Sequence, residues 1–280
     1  MLWTQSSLAP LRAPNKGSST GLGWAGAHRY LTETTPAVSV HEPQVPASGS
    51  LAPGGTVLVS RDMSDSRSES ALATVLSDRK LLSHPFYRRW ERGEVSTAEL
   101  AGYAAQYRHF ERYLPHFLTA LIERLPQGTA RHLVEANLAD EKGDPIPHIE
   151  RFEGFAEAVG AEFEESSPAM SSLIATYERL LEVGPEAALA GFVAYESQSS
   201  EVADRKAEGL HRYYGLDDEA VSFWEHHATV DVRHGEWSRQ ALDECSEDNT
   251  GLLFPFARQA ADAWWFFLDE REELAEAISA

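Results

Sequence analysis

Cysteine is almost missing from this sequence: Cys245 stands alone among 280 residues. No disulfide can close within the chain, and a cysteine-rich zinc site is excluded. That usage fits a reducing cytoplasm, and it means that any bound metal must be held by histidines and carboxylates. Long apolar runs are lacking as well. The longest near the end, Ala263 to Leu268, falls far short of the roughly 18 residues that suggest a membrane span and is followed by acidic residues. Positive charge is scarce, with 24 Lys and Arg against 44 Asp and Glu and a formal net charge of −20. Only four of those basic and three of those acidic residues lie in residues 1–62, so the acidic excess belongs to the remainder. Such a surface repels phosphate backbones, and neither nucleic acid nor a membrane is an expected partner. Strand-like alternation with hairpin turns is absent, and so is any internal repeat.

What the chain has is 42% hydrophobic and 10% aromatic residues, enough for a sizeable core. Residues 1–65 are an exception, rich in Pro, Gly, Ser, Thr and Ala and without a sustained period. A segment of that kind buries too little apolar surface to offset its ordering entropy, so disorder is expected there. Met63 sits at the change of composition and is the expected natural start. Residues 66–280 read as one all-α domain of seven to eight helices. The clearest signal starts at Ser96, where Ser-Thr-Ala-Glu forms a capping box with Glu99. Behind it Leu100, Tyr103, Ala104, Tyr107, Phe110, Leu114, Phe117, Leu118 and Leu121 recur at spacings of three and four. Pro115 predicts a kink in that helix. Further helices are expected at 129–141, 146–160, 168–182, 185–213, 217–244 and 254–278.

Three segments carry the chemistry. In His226-His227-Ala-Thr-Val-Asp231-Val-Arg-His234, positions i, i+4 and i+7 turn through about 400° and 700° on a helix. His227, Asp231 and His234 therefore share a stripe, and Asp231 with His234 repeats a carboxylate-x-x-His spacing used by di-metal proteins in helical bundles. In a chain with 11 histidines, a chance polar face is the competing reading. Glu141 ends one periodic helix and His148 opens the next, with Gly143 and Pro145 between, so the two can converge on one ion. Plain surface charge and a helix cap are the alternative. Glu196 interrupts an apolar run from Ala187 to Tyr195, where a buried carboxylate needs a cation or a hydrogen-bond network. Three carboxylates and three histidines divide into two sets for two divalent ions.

At these residues the sequence resembles the haem-oxygenase-like di-metal oxidases of TenA/PqqC-like fold, and most closely the CADD-type para-aminobenzoate synthases. The resemblance runs from about Leu81 to Leu242. It covers the step from Glu141 to His148, the solitary Glu196, and the stripe of His227, Asp231 and His234. It extends to His84-Pro-Phe-Tyr87-Arg-Arg-Trp90, to Tyr103, and to Tyr195-Glu196-Ser-Gln followed by Lys206. Ser200 departs from the family, which often has proline there. The resemblance implies a helical bundle, commonly a homodimer, that holds two divalent ions (Fe/Fe or Mn/Fe) and takes dioxygen and electrons from an external reductant. It further implies that Tyr87 is the carbon source of 4-aminobenzoate, the aromatic unit of folate, that Lys206 donates nitrogen, and that Tyr103 or Tyr195 relays a radical. Read without it, Tyr87, Tyr103 and Tyr195 are ordinary core aromatics and Lys206 a surface lysine beside Glu201 and Asp204. Two other functions compete: a PqqC-like oxidase of the same fold acting on an external small molecule, and a non-enzymatic helical protein that binds a partner.

Overall fold

Local capping chemistry sets where several helices begin. The computed structural model describes residues 72–143, 146–246 and 250–279; the expected disordered segment and the expected start at Met63 lie outside them. His84 Nδ1 accepts the Phe86 amide at 3.1 Å, and Pro85 supplies a pre-set first turn, so α1 runs Pro85–Glu91. At Ser96 both halves of the capping box form, and α2 runs Thr97–Arg124. It continues through Pro115 as one helix. After it come α3 (Thr129–Lys142), α4 (His148–Ala158), α5 (Pro168–Val183), α6 (Pro185–Gly209), α7 (Asp218–Ser246) and α8 (Phe254–Ser279). The stretch expected as one helix over 185–213 leaves α geometry at Gly209 and passes into a wider π-type turn, Leu210–Tyr214. Short 3₁₀ turns precede α1 and α8. Among the described residues there is no strand.

The core is a layered stack of helices around α6. That helix buries Ala187 to Glu196 without interruption and packs most extensively on α7, then on α8. α3 and α4 cover the other side of α7, and α2 spans α3, α4 and α5. Gly235 permits the closest part of the α6–α7 contact, since a Cβ there would sit 3.1 Å from the Glu196 carbonyl oxygen. Aromatic side chains fill the centre, with Phe86, Trp90, Tyr103, Phe110, Phe152, Phe155, Trp264 and Phe267 fully buried. Among the described residues no helix is long and apolar enough to cross a membrane.

Candidate metal centre

Four helices contribute polar side chains to the middle of this apolar stack. α3 carries Glu141 in its last turn, and Gly143 at φ 61° turns the chain sharply enough for His148 to open α4 against it. A Cβ at Gly143 would meet the Ile146 carbonyl oxygen at 2.0 Å, so the turn needs glycine twice over. α6 brings Glu196, and one stripe of α7 brings His227, Asp231 and His234; all six side chains are buried. They fall into two groups. Glu141, His148 and His227 offer ligand-type atoms within 4.8 Å of one another, and so do Glu196, Asp231 and His234. The groups abut: His234 Nδ1 is 3.7 Å from Glu141 Oε1 across them, and 3.4 Å from Asp231 Oδ1 within its own group.

Hydrogen bonds from outside each group turn the rings. His227 Nδ1 faces the Phe223 carbonyl oxygen at 2.8 Å, which leaves Nε2 for a ligand. His234 Nε2 faces Asp140 Oδ2 at 3.2 Å, and Arg233 Nη2 donates to the same oxygen at 2.5 Å. His148 places Nδ1 3.1 Å from Glu141 Oε2, while its Nε2 lies 2.9 Å from His226 Nε2. Fixing a metal-binding imidazole through its other nitrogen is the usual outer arrangement of such sites.

Electrostatics and unpaired atoms show that this polar cluster is incomplete as it stands. Burial, then the negative charge of Asp231, raises the Glu196 carboxyl well above the usual range. Burial alone would raise Asp231, but the charges of His227 and the adjacent His234, with the Ser199 hydroxyl, hold it low. Burial would depress His234, yet the neighbouring carboxylates of Asp231, Glu196 and Glu141 push it up to about 9. His234 Nδ1 and Glu196 Oε2 are buried with no hydrogen-bond partner. Two orphaned donor-set atoms among crowded carboxylates fit a pair of divalent cations, which would satisfy both and neutralise the acids.

Beside the two groups lies a second cluster. Tyr87 Oη and Tyr103 Oη are 2.9 Å apart, and Lys206 Nζ is 2.7 Å from Tyr103 Oη. Lys206 is only 2% exposed. Its Nζ sits 3.9 Å from the Trp224 ring centroid and 4.8–4.9 Å from those of Tyr87, Tyr103 and Tyr107. Burial drives its ammonium well below the ordinary lysine range, against the opposing charges of Glu111 and Asp231, and so favours the neutral amine. Tyr195, one residue before Glu196, pairs with Tyr107 hydroxyl to hydroxyl at 2.6 Å and stacks on Trp264 at 4.7 Å. A small cavity joins the clusters, bounded by Tyr87, Tyr107, Tyr195, Lys206, His227 and Asp231, among others. The space open to a water molecule's centre is about 10 Å³, enough for a single water-sized occupant. Gln198 ties the α1 segment to this place, accepting the Leu81 amide at 2.8 Å.

All ten residues singled out in the sequence thus lie in or beside one buried region. Four participants carried no usable sequence signal. Asp140 reads as a surface charge beside Glu141, His226 as a neighbour of His227, Tyr107 as one more apolar-stripe aromatic. Glu111, only 4% exposed, lies one turn beyond Tyr107 on the same helix. A polar residue in register with that apolar stripe was the only hint of it.

Comparison with known proteins places this geometry. Residues 101–265, more than half the chain, match the family model described as iron-containing redox enzyme. The 4-aminobenzoate synthase of Chlamydia muridarum is 30% identical over 205 residues, covering 71% of this chain and 87% of that protein. The 4-aminobenzoate synthase of Nitrosomonas europaea is 30% identical over 214 residues, covering 70% and 87%. Among solved structures, a domain with a haem-oxygenase-like fold from Shewanella denitrificans superposes with a TM-score of 0.62 at 14% identity, covering 80% of this chain and 97% of that one. A TenA homologue from Pseudomonas syringae gives 0.66 at 13% identity, covering 74% and 93%. The chain belongs to the haem-oxygenase-like family of iron-containing redox enzymes.

Proposed function

We propose that this protein makes 4-aminobenzoate with dioxygen at a pair of divalent ions, taking the ring from its own Tyr87 and the nitrogen from Lys206. Glu141, His148 and His227 would hold one ion, and Glu196, Asp231 and His234 the other. Iron at both positions, or manganese at one, suits such imidazole and carboxylate ligands. When bound and reduced by an external donor, the pair supplies oxidising power from dioxygen.

The protein's own residues supply the rest. A tyrosine ring with its Cβ has the carbon skeleton of 4-aminobenzoate once the Cα–Cβ bond is cut and nitrogen replaces the phenol oxygen. Tyr103 positions both reactants, because its hydroxyl bonds Tyr87 Oη and Lys206 Nζ together. The apolar walls keep bulk water away from an amine that must be neutral to act as a nucleophile. The observation that carries the reading is this sealed Tyr87–Tyr103–Lys206 chain, sharing one water-sized cavity with His227 and Asp231.

The test is isotopic. Protein produced with ring-labelled tyrosine and side-chain ¹⁵N-lysine, then loaded with ferrous iron and exposed to oxygen in unlabelled buffer, should release doubly labelled 4-aminobenzoate. Unlabelled product from protein whose Tyr87 peptide is intact would remove the self-consuming scheme.

A further inference from the structure

Soon after Lys206, α6 gives way to the π-type turn Leu210–Tyr214, a departure from α geometry that recurs at functional sites. On the outside of that turn is a surface hollow lined by Glu91, Arg205, Glu208, Gly209, Arg212 and Tyr213. The space open to a water molecule's centre is about 150 Å³, the scale of a cavity that admits a benzene ring. Its floor backs onto the Tyr87–Lys206 cluster. Gly209 approaches Trp90 so closely that a Cβ on it would sit 2.9 Å from the indole Cδ1. The same indole donates from Nε1 to the Lys206 carbonyl oxygen at 3.3 Å. Its ring centroid lies 6.4 Å from that of Tyr87 and 5.9 Å from Lys206 Nζ. Trp90 therefore meets the floor of the hollow with one edge and the two proposed reactants with its ring.

We propose that this hollow binds a small aromatic molecule with a carboxylate at one end and an amine at the other, and receives 4-aminobenzoate as it leaves past Trp90. In naming that ligand, the assignment rests on the function proposed above. An ionised carboxylate is costly among the apolar walls of the buried cluster, where the free space is only about 10 Å³. The hollow offers the same group water and two guanidinium ions.

The lining matches each part of such a ligand. The chain's net charge of −20 repels an organic anion from an ordinary stretch of its surface, whereas Arg205 and Arg212 face one hollow together. Their present partners hold them loosely. Arg205 is 3.2 Å from Glu208 and 3.9 Å from Glu91, and Arg212 is 4.0 Å from Glu208. All four side chains are at least 36% exposed, and ion pairs so exposed are weak and exchange readily. A ligand carboxylate can take the guanidinium donors in two-pronged fashion, leaving Glu91 and Glu208 to accept from the amine. The half-exposed Tyr213 offers its ring as a stacking face. It is seated against the chain just after α1, where a Cβ on Gly93 would fall 2.5 Å from the Tyr213 ring.

Calorimetric titration of the full-length protein with 4-aminobenzoate tests the site, with metal removed by a chelator so that no reaction competes. Wild type should bind one molecule with a Kd of about 0.1–1 mM, the range open to so small a ligand. Arg205→Gln and Arg212→Gln should each weaken binding about tenfold, and Tyr213→Ala severalfold. Circular dichroism should be unchanged in all three, since these side chains are exposed. Benzoate, which lacks the amine, and aniline, which lacks the carboxylate, should both bind several times more weakly. No saturable binding below about 10 mM, or binding that the three substitutions leave unaltered, overturns the site. Benzoate binding as tightly as 4-aminobenzoate overturns the choice of ligand. Doubly labelled product from a protein that fails this titration would sink the hollow and leave the function standing. Binding that meets every expectation in a protein that yields only unlabelled product would do the opposite.

Discussion

Replacing Lys206 with methionine should stabilise the metal-free protein at neutral pH, by an amount that shrinks as pH rises. The side chain is 2% exposed, and its one hydrogen bond among the described residues is to Tyr103 Oη. Burial lowers its pKa well below that of an ordinary lysine. An unfolded chain keeps the proton up to about pH 10.4. The unfolded state therefore binds more protons than the folded one, and wild-type stability climbs with pH through that window. A whole proton corresponds to about 1.4 kcal/mol per pH unit. Methionine has no such dependence, so its advantage should shrink as pH rises through that window, by at most about 1.4 kcal/mol per pH unit. Against it stands the lost hydrogen bond, about 1 kcal/mol. Exchanging a buried ionisable group for an apolar one of similar size commonly gains about 1–4 kcal/mol, so the net sign at pH 7 is a gain. Urea unfolding of both proteins at pH 7, 8 and 9, with a chelator present, measures the difference directly, provided the m-values agree. A difference that stays constant with pH, or a variant less stable than wild type at pH 7, would refute the reasoning. Lys206 would then be keeping its proton in the fold, paired with Glu111.

Three further outcomes are expected. Glu196→Ala should lower bound iron from two ions per chain towards one in elemental analysis. In chelator the same variant should melt higher than wild type, because a crowded buried carboxyl has gone. Asp140→Ala frees His234 Nε2 and should weaken metal binding roughly 10–100-fold in competition titrations, while circular dichroism shows the helix content unchanged. Gly143→Ala meets both a positive φ and the Ile146 carbonyl, so it should cost about 1–3 kcal/mol in denaturant unfolding. It should also reduce iron at the Glu141–His148–His227 position.

Much of this architecture was legible in the sequence because its signals are local. Ser96 with Glu99 fixed the start of α2, and Gly184-Pro185 separates α5 from α6 where the periodic pattern breaks. The stripe of His227, Asp231 and His234 followed from helix periodicity alone. What could not be read depends on how distant helices are set against one another. Lys206 lies beside Glu201 and Asp204 in a segment that reads as solvated, yet α1 and α2 close over it with Tyr87, Trp90 and Tyr103. Asp140 becomes the partner of His234 only through the register of α3 on α7, and His226 meets His148 only through that of α4 on α7. Pro115 was expected to kink α2, and the helix runs through it as one element.

Tyr87 has a consequence for the lifetime of the molecule. Its ring is wedged among Phe86, Trp90 and Tyr103, with centroids 5.8–6.4 Å away. Were Tyr87 the carbon source, as proposed, its removal would delete a large aromatic from the packed interior, a loss of about 3–5 kcal/mol. A spent chain would thus carry a void where its reagent had been and unfold more readily than a fresh one. Proteases would cull used copies ahead of unused ones, tying synthesis of the product to turnover of the protein itself.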